Sequence, residues 1–222
     1  MKTCLGRLAP LLLSTLLWGL GASLAWAADA GNLGGRPNLN GIWQAMNSAN
    51  WNLEAHSAGK VAVAWQLGAL FSIPAGKSVV TGGTIPYLPD ALKKRDELRA
   101  QWPKSDPETL CYLPGIPRAT YMPYPFQIIQ GDRDILMVYS YATSNRTIHM
   151  GKHEDPPVDS WMGRSEGHWE GRTLVVQTTG FNGRAQLDRA GNHFSSALKV
   201  KYLYFFIGLC YCHRRRSCIK IL

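Results

Sequence analysis

Histidines and carboxylates gather in one short part of this 222-residue chain: His149, His153, Asp155 and Asp159, with His168, Asp188 and His193 further on. Imidazole beside carboxylate suits a borderline divalent metal such as zinc, and equally suits acid–base catalysis near neutral pH. The spacing matches no zinc signature of the His-Glu-x-x-His kind. His149 falls in a predicted strand and His153 just beyond it, so the two converge only if the chain turns at Gly151. No metal site is therefore assigned; His149, His153 and Asp155 are the residues that would form one. For catalysis the candidates are His149 or His153 as general base, with Arg146 holding an anionic group.

A second set is aromatic and cationic: Arg118, Tyr121, Tyr124, Tyr139, Tyr141, Arg146, Trp161 and Trp169. Rings supply contact area and a guanidinium pairs with carboxylate, so such a set suits a small amphipathic or anionic ligand. It suits equally well an aromatic core in which Arg146 is ion-paired to Asp or Glu. No Gly-x-Ser-x-Gly elbow, phosphate loop or dinucleotide fingerprint occurs, which argues against classical serine hydrolases, NTPases and Rossmann enzymes. The sequence identifies no cofactor.

The elements that must position these side chains are strands. Between Tyr121 and Phe181, five runs rich in Ile, Val, Tyr, Thr and Trp are separated by Gly, Asp, Asn and Pro, the pattern of consecutive antiparallel strands. In the run 134–141, Ile135, Met137, Tyr139 and Tyr141 share one face and Leu136, Val138 and Ser140 the other. Near-continuous apolarity there predicts a central strand covered on both sides. In 145–150, alternation sets Arg146, Ile148 and Met150 against Thr147 and His149. Glu170-Gly171 predicts a tight turn between two strands. Earlier, Gly41-Ile42-Trp43 predicts a first strand of the kind that opens lipocalin-like barrels. Residues 89–102 predict the one surface helix, with Pro89 in its first turn, a partial stripe of Leu88, Leu92, Leu98 and Trp102, and Pro103 after it. The proline-rich connection 106–125 predicts an ordered loop over one end of the sheet, with Arg118 and Tyr121 facing a cleft.

Several of these segments also resemble a family of exported bacterial proteins of unknown function. The likeness rests on Cys-Tyr-Leu-Pro-Gly-Ile-Pro-Arg-Ala at 111–119, Pro-Tyr-Pro-Phe-Gln-Ile at 123–128 and Arg-Thr-Ile-His-Met-Gly-Lys-His at 146–153. It continues through Asp-Ser-Trp-Met-Gly at 159–163, Gly-His-Trp-Glu-Gly at 167–171, Thr-Leu-Val-Val at 173–176, Thr-Gly-Phe-Asn at 179–182 and Leu-Asp-Arg-Ala-Gly at 187–191. The resemblance implies an exported β-rich domain over about residues 38–198 and no reaction. Members of that family carry a second histidine where this chain has Lys199, and then further strands.

Composition bounds the rest. Lys2 and Arg7 precede an apolar run ending in Ala25-Trp26-Ala27, the form of a secretory signal peptide over residues 1–27. The net charge of +9 is concentrated at the ends: the leader and residues 201–222 hold seven of the 24 basic residues and no acidic ones, leaving 17 against 15 between. No basic face for nucleic acid is expected on a body so nearly neutral. Cys111, the one body cysteine, reads as a small buried hydrophobe. Cys210, Cys212 and Cys218 crowd a tail whose apolar run and three arginines depart from the composition before it. That tail reads as a frameshifted remainder, with a metal site and a membrane-surface anchor as alternatives.

The expectation is thus a mainly β domain over 28–198, an antiparallel meander curling into a lipocalin-like barrel or half-barrel, with residues 199–222 an atypical appendage. Its predicted function is periplasmic or extracellular binding of a small molecule by Arg118, Tyr121, Tyr139, Tyr141, Trp161 and Trp169. The competing readings are a lyase, isomerase or hydrolase using His149, His153 and Arg146, and an inactive truncated copy. No membrane span is expected in the mature chain.

Overall fold

The computed structural model describes residues 32–60, 72–152, 154, 156–210 and 216–221. The leader, His153 and Asp155 lie outside the described residues. The segment ending at Asn38 holds a two-strand ladder of its own, β1 (Asn32–Leu33) with β2 (Arg36–Pro37).

From Leu39 onward the chain is built on one curled sheet, a half-barrel of mainly antiparallel strands. Its members are β3 (Gly41–Gln44), β6 (Pro125–Gln130), β7 (Asp134–Tyr139), β8 (Asn145–Met150), β9 (Arg164–Glu170), β10 (Thr173–Thr179), β11 (Val200–Cys210) and β12 (Arg216–Ile221). Their order across the sheet is β12-β11-β10-β9-β8-β7-β6-β3. A short ladder of β4 (Gly59–Lys60) and β5 (Ser72–Ile73) stands apart from it. All five strands expected between residues 121 and 181 are present, and the Gly171 turn joins β9 to β10 with φ +58° at the glycine, a conformation that glycine adopts without a Cβ penalty.

One pair departs from the meander. β8 and β9 run parallel, Ile148 opposite Ser165 and Met150 opposite Gly167. A parallel neighbour cannot be reached by a tight turn, so residues 151–163 carry the chain back along the strand. Gly167 makes the seam close: a Cβ there would stand 2.8 Å from Ile148 Cγ2.

The core lies where the alternation places it. Ile128, Ile135, Met137, Tyr139, Ile148, Leu174 and Val176 are buried together with Ile116, Ala119 and Phe181. Trp43 packs half-buried against this cluster and donates its indole N–H to the Leu39 carbonyl. The sheet continues past residue 198 without a break: β11 pairs with β10 from Val200 to Phe205, and Tyr202 and Tyr204 are core residues. The 106–125 connection is ordered as expected, though not wholly extended. A single 3-10 turn spans Pro107–Leu110, and a one-turn helix, α2 (Arg118–Tyr121), follows with Arg118, Ala119 and Thr120 buried.

Two local expectations are corrected. The helix α1 (Pro89–Ala100) forms where its prolines bound it, yet buries no residue, and Leu88 is 77 % exposed. It is seated by backbone approach and not by the leucine stripe: Gly191, at φ +84°, comes so close that a Cβ would lie 2.6 Å from the Arg95 carbonyl oxygen. Cys111 is exposed with a free thiol, because it ends the 3-10 turn in the left-handed region at φ +63° and is thereby turned outward.

Candidate functional site

The two arginines singled out from the sequence are both buried, and they are buried differently. Arg118 sits among carboxylates. Its guanidinium donates to both oxygens of Asp106 at 2.8 and 2.9 Å and to Glu108, which also accepts from Arg189 and from the Tyr141 hydroxyl. Burial alone would raise the Glu108 carboxyl, but Arg118 and the Arg189 bonds outweigh it and hold the group below its ordinary value. Arg118 is in turn raised: the Asp106 and Glu108 charges overcome its desolvation. This is a closed internal network. Arg118 does not face a cleft, because it is buried with both terminal nitrogens bonded to carboxylates, only its Nε being left without a partner. Tyr121 is inside as well, donating to the Leu187 carbonyl, and its hydroxyl is pushed well up by burial.

Arg146 has no carboxylate. Among the described residues its partners are neutral: Nε donates to Ser165 Oγ at 2.7 Å, Nη1 to Tyr204 at 3.0 Å and Nη2 to Thr178 Oγ1 at 2.8 Å. The Tyr202 ring lies 4.5 Å from the guanidinium carbon, a cation–π contact. Three strands supply these groups, β9, β10 and β11, so the hydroxyls converge only through sheet register. The expected ion pair to Asp or Glu is replaced by hydroxyls and an aromatic face. Tyr139 is also internal, its hydroxyl raised by burial.

His149 lies on the other face of β8. Its Nδ1 is 2.7 Å from Asp134 Oδ1, with the two side chains 45 % and 50 % exposed. The contact follows from register, since Asp134 and His149 are directly paired across β7 and β8. His149 and the Arg146 guanidinium therefore do not act on one group from the same side, because strand alternation separates them.

A cleft of about 410 Å³ opens beside β8. Asn145, Thr147 and His149 contribute from the strand, Leu113 from the proline-rich connection, and Pro156 and Met162 from the crossover. Arg164 also borders it, but is already committed to Glu166 at 2.9 Å and Glu154 at 3.1 Å. The lining thus offers hydrogen bonds and apolar contact and two guanidinium groups, Arg164 paired with carboxylates and Arg146 with its donors spent on hydroxyls. Of the expected ligand-binding residues, none lines this cleft: Tyr141 stacks on Tyr124 at 4.9 Å, Trp161 on Tyr112 at 5.1 Å, and Trp161 and Trp169 pack against the core. Of the expected catalytic residues, Arg146 and His149 border it. Thr147 was already placed on the His149 face but not named as a site residue, and Asn145 and Asp134 were missed; counting the β7–β8 hairpin register would have found Asp134.

The remaining polar candidates are structural. His168 pairs with Glu170 on the surface at 2.9 Å. Asp188 accepts from the Leu53, Ala190 and Asn192 backbone amides and the Asn192 side chain, tying residues 50–53 to the 186–193 turn. His193 stacks on Tyr87 at 5.6 Å. No group of three His, Cys, Asp or Glu among the described residues is placed to hold a metal ion.

Fold and site together define a mainly β half-barrel protein with a small polar cleft beside β8. The chain matches no family model, no curated protein and no solved structure.

Proposed function

We propose that this is an exported protein that binds a small polar molecule in the cleft beside β8. The observation that carries the reading is that cleft itself: a concavity of about 410 Å³, within the usual size range of small-molecule pockets, with amide, hydroxyl and imidazole groups beside proline, leucine and methionine. The leader over residues 1–27 supports export. Because Arg164 is paired with two glutamates and Arg146 spends its donors on Ser165, Thr178 and Tyr204, the fitting ligand is one held by hydrogen bonds from the amide, hydroxyl and imidazole groups.

The test is a ligand screen by thermal shift on the full chain and on Thr147→Trp, which fills the cleft. Compounds that raise Tm in the parent are expected to lose that effect in the variant. If no compound shifts the parent, or if Thr147→Trp keeps every shift, the cleft is not the binding site.

The His149–Asp134 contact favours a second reading, in which the carboxylate orients the imidazole as a general base for a bound substrate. His149→Ala separates the two. A binder keeps its ligand within about tenfold, whereas an enzyme loses about 10²–10⁴ in turnover with KM little changed.

A further inference from the structure

Beside the cleft, the outer face of the sheet carries apolar side chains that the core does not use. β7 is apolar at nearly every position. Ile135, Met137 and Tyr139 are spent on the core, so Leu136 and Val138 stand on the opposite face. Register shows what surrounds them there. Leu136 lies between Ile129 of β6 and Thr147 of β8. Two residues along, Val138 lies between Gln127 and Asn145, with Ile42 of β3 beyond Gln127. Ile42 is 78 % exposed, Ile129 45 % and Val138 36 %, with Leu136 half-buried among them.

These residues form one strip and not scattered singles. Ile129 and Leu136 are directly paired, Leu136 and Val138 are next but one on the same strand face, and Ile42 is the diagonal neighbour of Ile129. Neither row carries a charged side chain. A contiguous apolar patch with a polar border marks a binding surface. Here the border names the neighbour, because Thr147 and Asn145, which end the two rows, both line the cleft. The apolar strip therefore runs directly into the cleft across β8.

Size narrows the occupant. Strands lie about 4.8 Å apart and residues along them about 3.4 Å, so the strip is about 14 Å long and about 7 Å wide. That is on the order of 100 Å², far below the roughly 800 Å² per partner of a stable protein interface, and it suits a chain-like small molecule. We propose that the cleft ligand is an amphiphile, its hydroxyl-bearing head held by Asn145, Thr147 and His149 and its alkyl tail laid over Leu136, Val138 and Ile129 toward Ile42. A hydroxyl both donates and accepts, so it pairs with amide, hydroxyl and imidazole alike. The tail removes from water side chains that folding leaves exposed, and each methylene it buries adds affinity. This rests on the cleft being the binding site and adds the path by which the ligand leaves it.

The experiment is an amide NMR titration of the ¹⁵N-labelled full chain with methyl, hexyl and octyl β-D-glucoside, each below its micelle concentration. The hexyl and octyl compounds are expected to shift Ile129, Leu136 and Val138 together with Thr147 and His149, saturably and with one Kd. Affinity should rise about tenfold or more from methyl to octyl. Ile129→Thr with Val138→Thr, which keeps β-branched residues at two exposed positions, should remove most of that gain. Thr147→Trp should abolish binding of all three. Shifts confined to the cleft, with no gain from chain length, would overturn the tail and leave the cleft reading standing. Shifts on β6 and β7 that survive Thr147→Trp, with none in the cleft, would overturn both. Strip amides that move on dilution of the protein alone would assign the face to a second copy and end the proposal. No saturable shift at millimolar glucoside would end it too.

Discussion

At the scale of single residues, Arg146 is the least ordinary feature. A buried guanidinium normally has a carboxylate nearby, since removing a charge from water costs several kcal/mol. Here Ser165, Thr178 and Tyr204 share its donors, and Tyr202 covers its face. Arg146→Ala leaves those hydroxyls facing a void and is expected to destabilise by about 3–5 kcal/mol in urea unfolding. Arg146→Met keeps the stem and removes the charge, and is expected to cost less than half as much. Equal losses for the two variants would mean that the cation itself is indispensable. That Arg146 would be inside was legible from its alternation with Ile148. Its partners were not, because nothing local to residue 146 announces hydroxyls 19, 32 and 58 positions away.

At the scale of elements, strand positions were readable and strand directions were not. Runs such as 134–139 and 173–179 are dense in β-branched and apolar residues and fold as strands, but 134–139 is covered on one face only, Val138 being 36 % exposed where cover on both sides was expected. The same alternation is produced by a parallel or an antiparallel partner, so the β8–β9 seam left no mark on the pattern. Its one local sign is Gly167, where a Cβ would stand 2.8 Å from Ile148 Cγ2. Gly167→Ala is expected to force Ile148 aside and cost about 1–3 kcal/mol, by denaturant unfolding, with amide exchange rising most in β8 and β9. Gly171→Ala, whose Cβ would meet nothing within 4 Å, tests positive φ without crowding. The α1 seat illustrates the same limit: residues 89–102 announced a helix, but its contact is made by Gly191, about ninety positions later in the chain.

At the scale of the whole molecule, the Asp106–Arg118–Glu108–Arg189 network joins the 106–121 connection to the 186–193 turn. Asp106, Glu108, Arg118 and Arg189 stand apart in sequence with no periodicity to link them, so only the fold reveals the cluster. The Glu108 carboxyl is held below its ordinary 4.5, so the stability it confers is present above that value and is lost as the pH falls beneath it. Glu108→Gln is expected to cost about 3–5 kcal/mol at pH 7. The gap between parent and variant should narrow on acidification below about pH 4.5, read by urea unfolding across that range. Asp188, whose carboxyl burial raises, is common to both proteins and cancels from the comparison. A gap that stays constant into strong acid would mean Glu108 acts through shape and not charge.

The parallel pairing of β8 with β9 obliges the chain to cross back beside the sheet, and that crossover supplies Pro156, Pro157, Val158, Ser160 and Met162 to the cleft wall. The wall is thus made of chain that topology requires but does not specify. Natural variation can rewrite those side chains while the strand register stays as it is. Binding preference can therefore drift quickly on a scaffold that hardly changes, and proteins of this architecture should differ most from one another along that one connecting stretch.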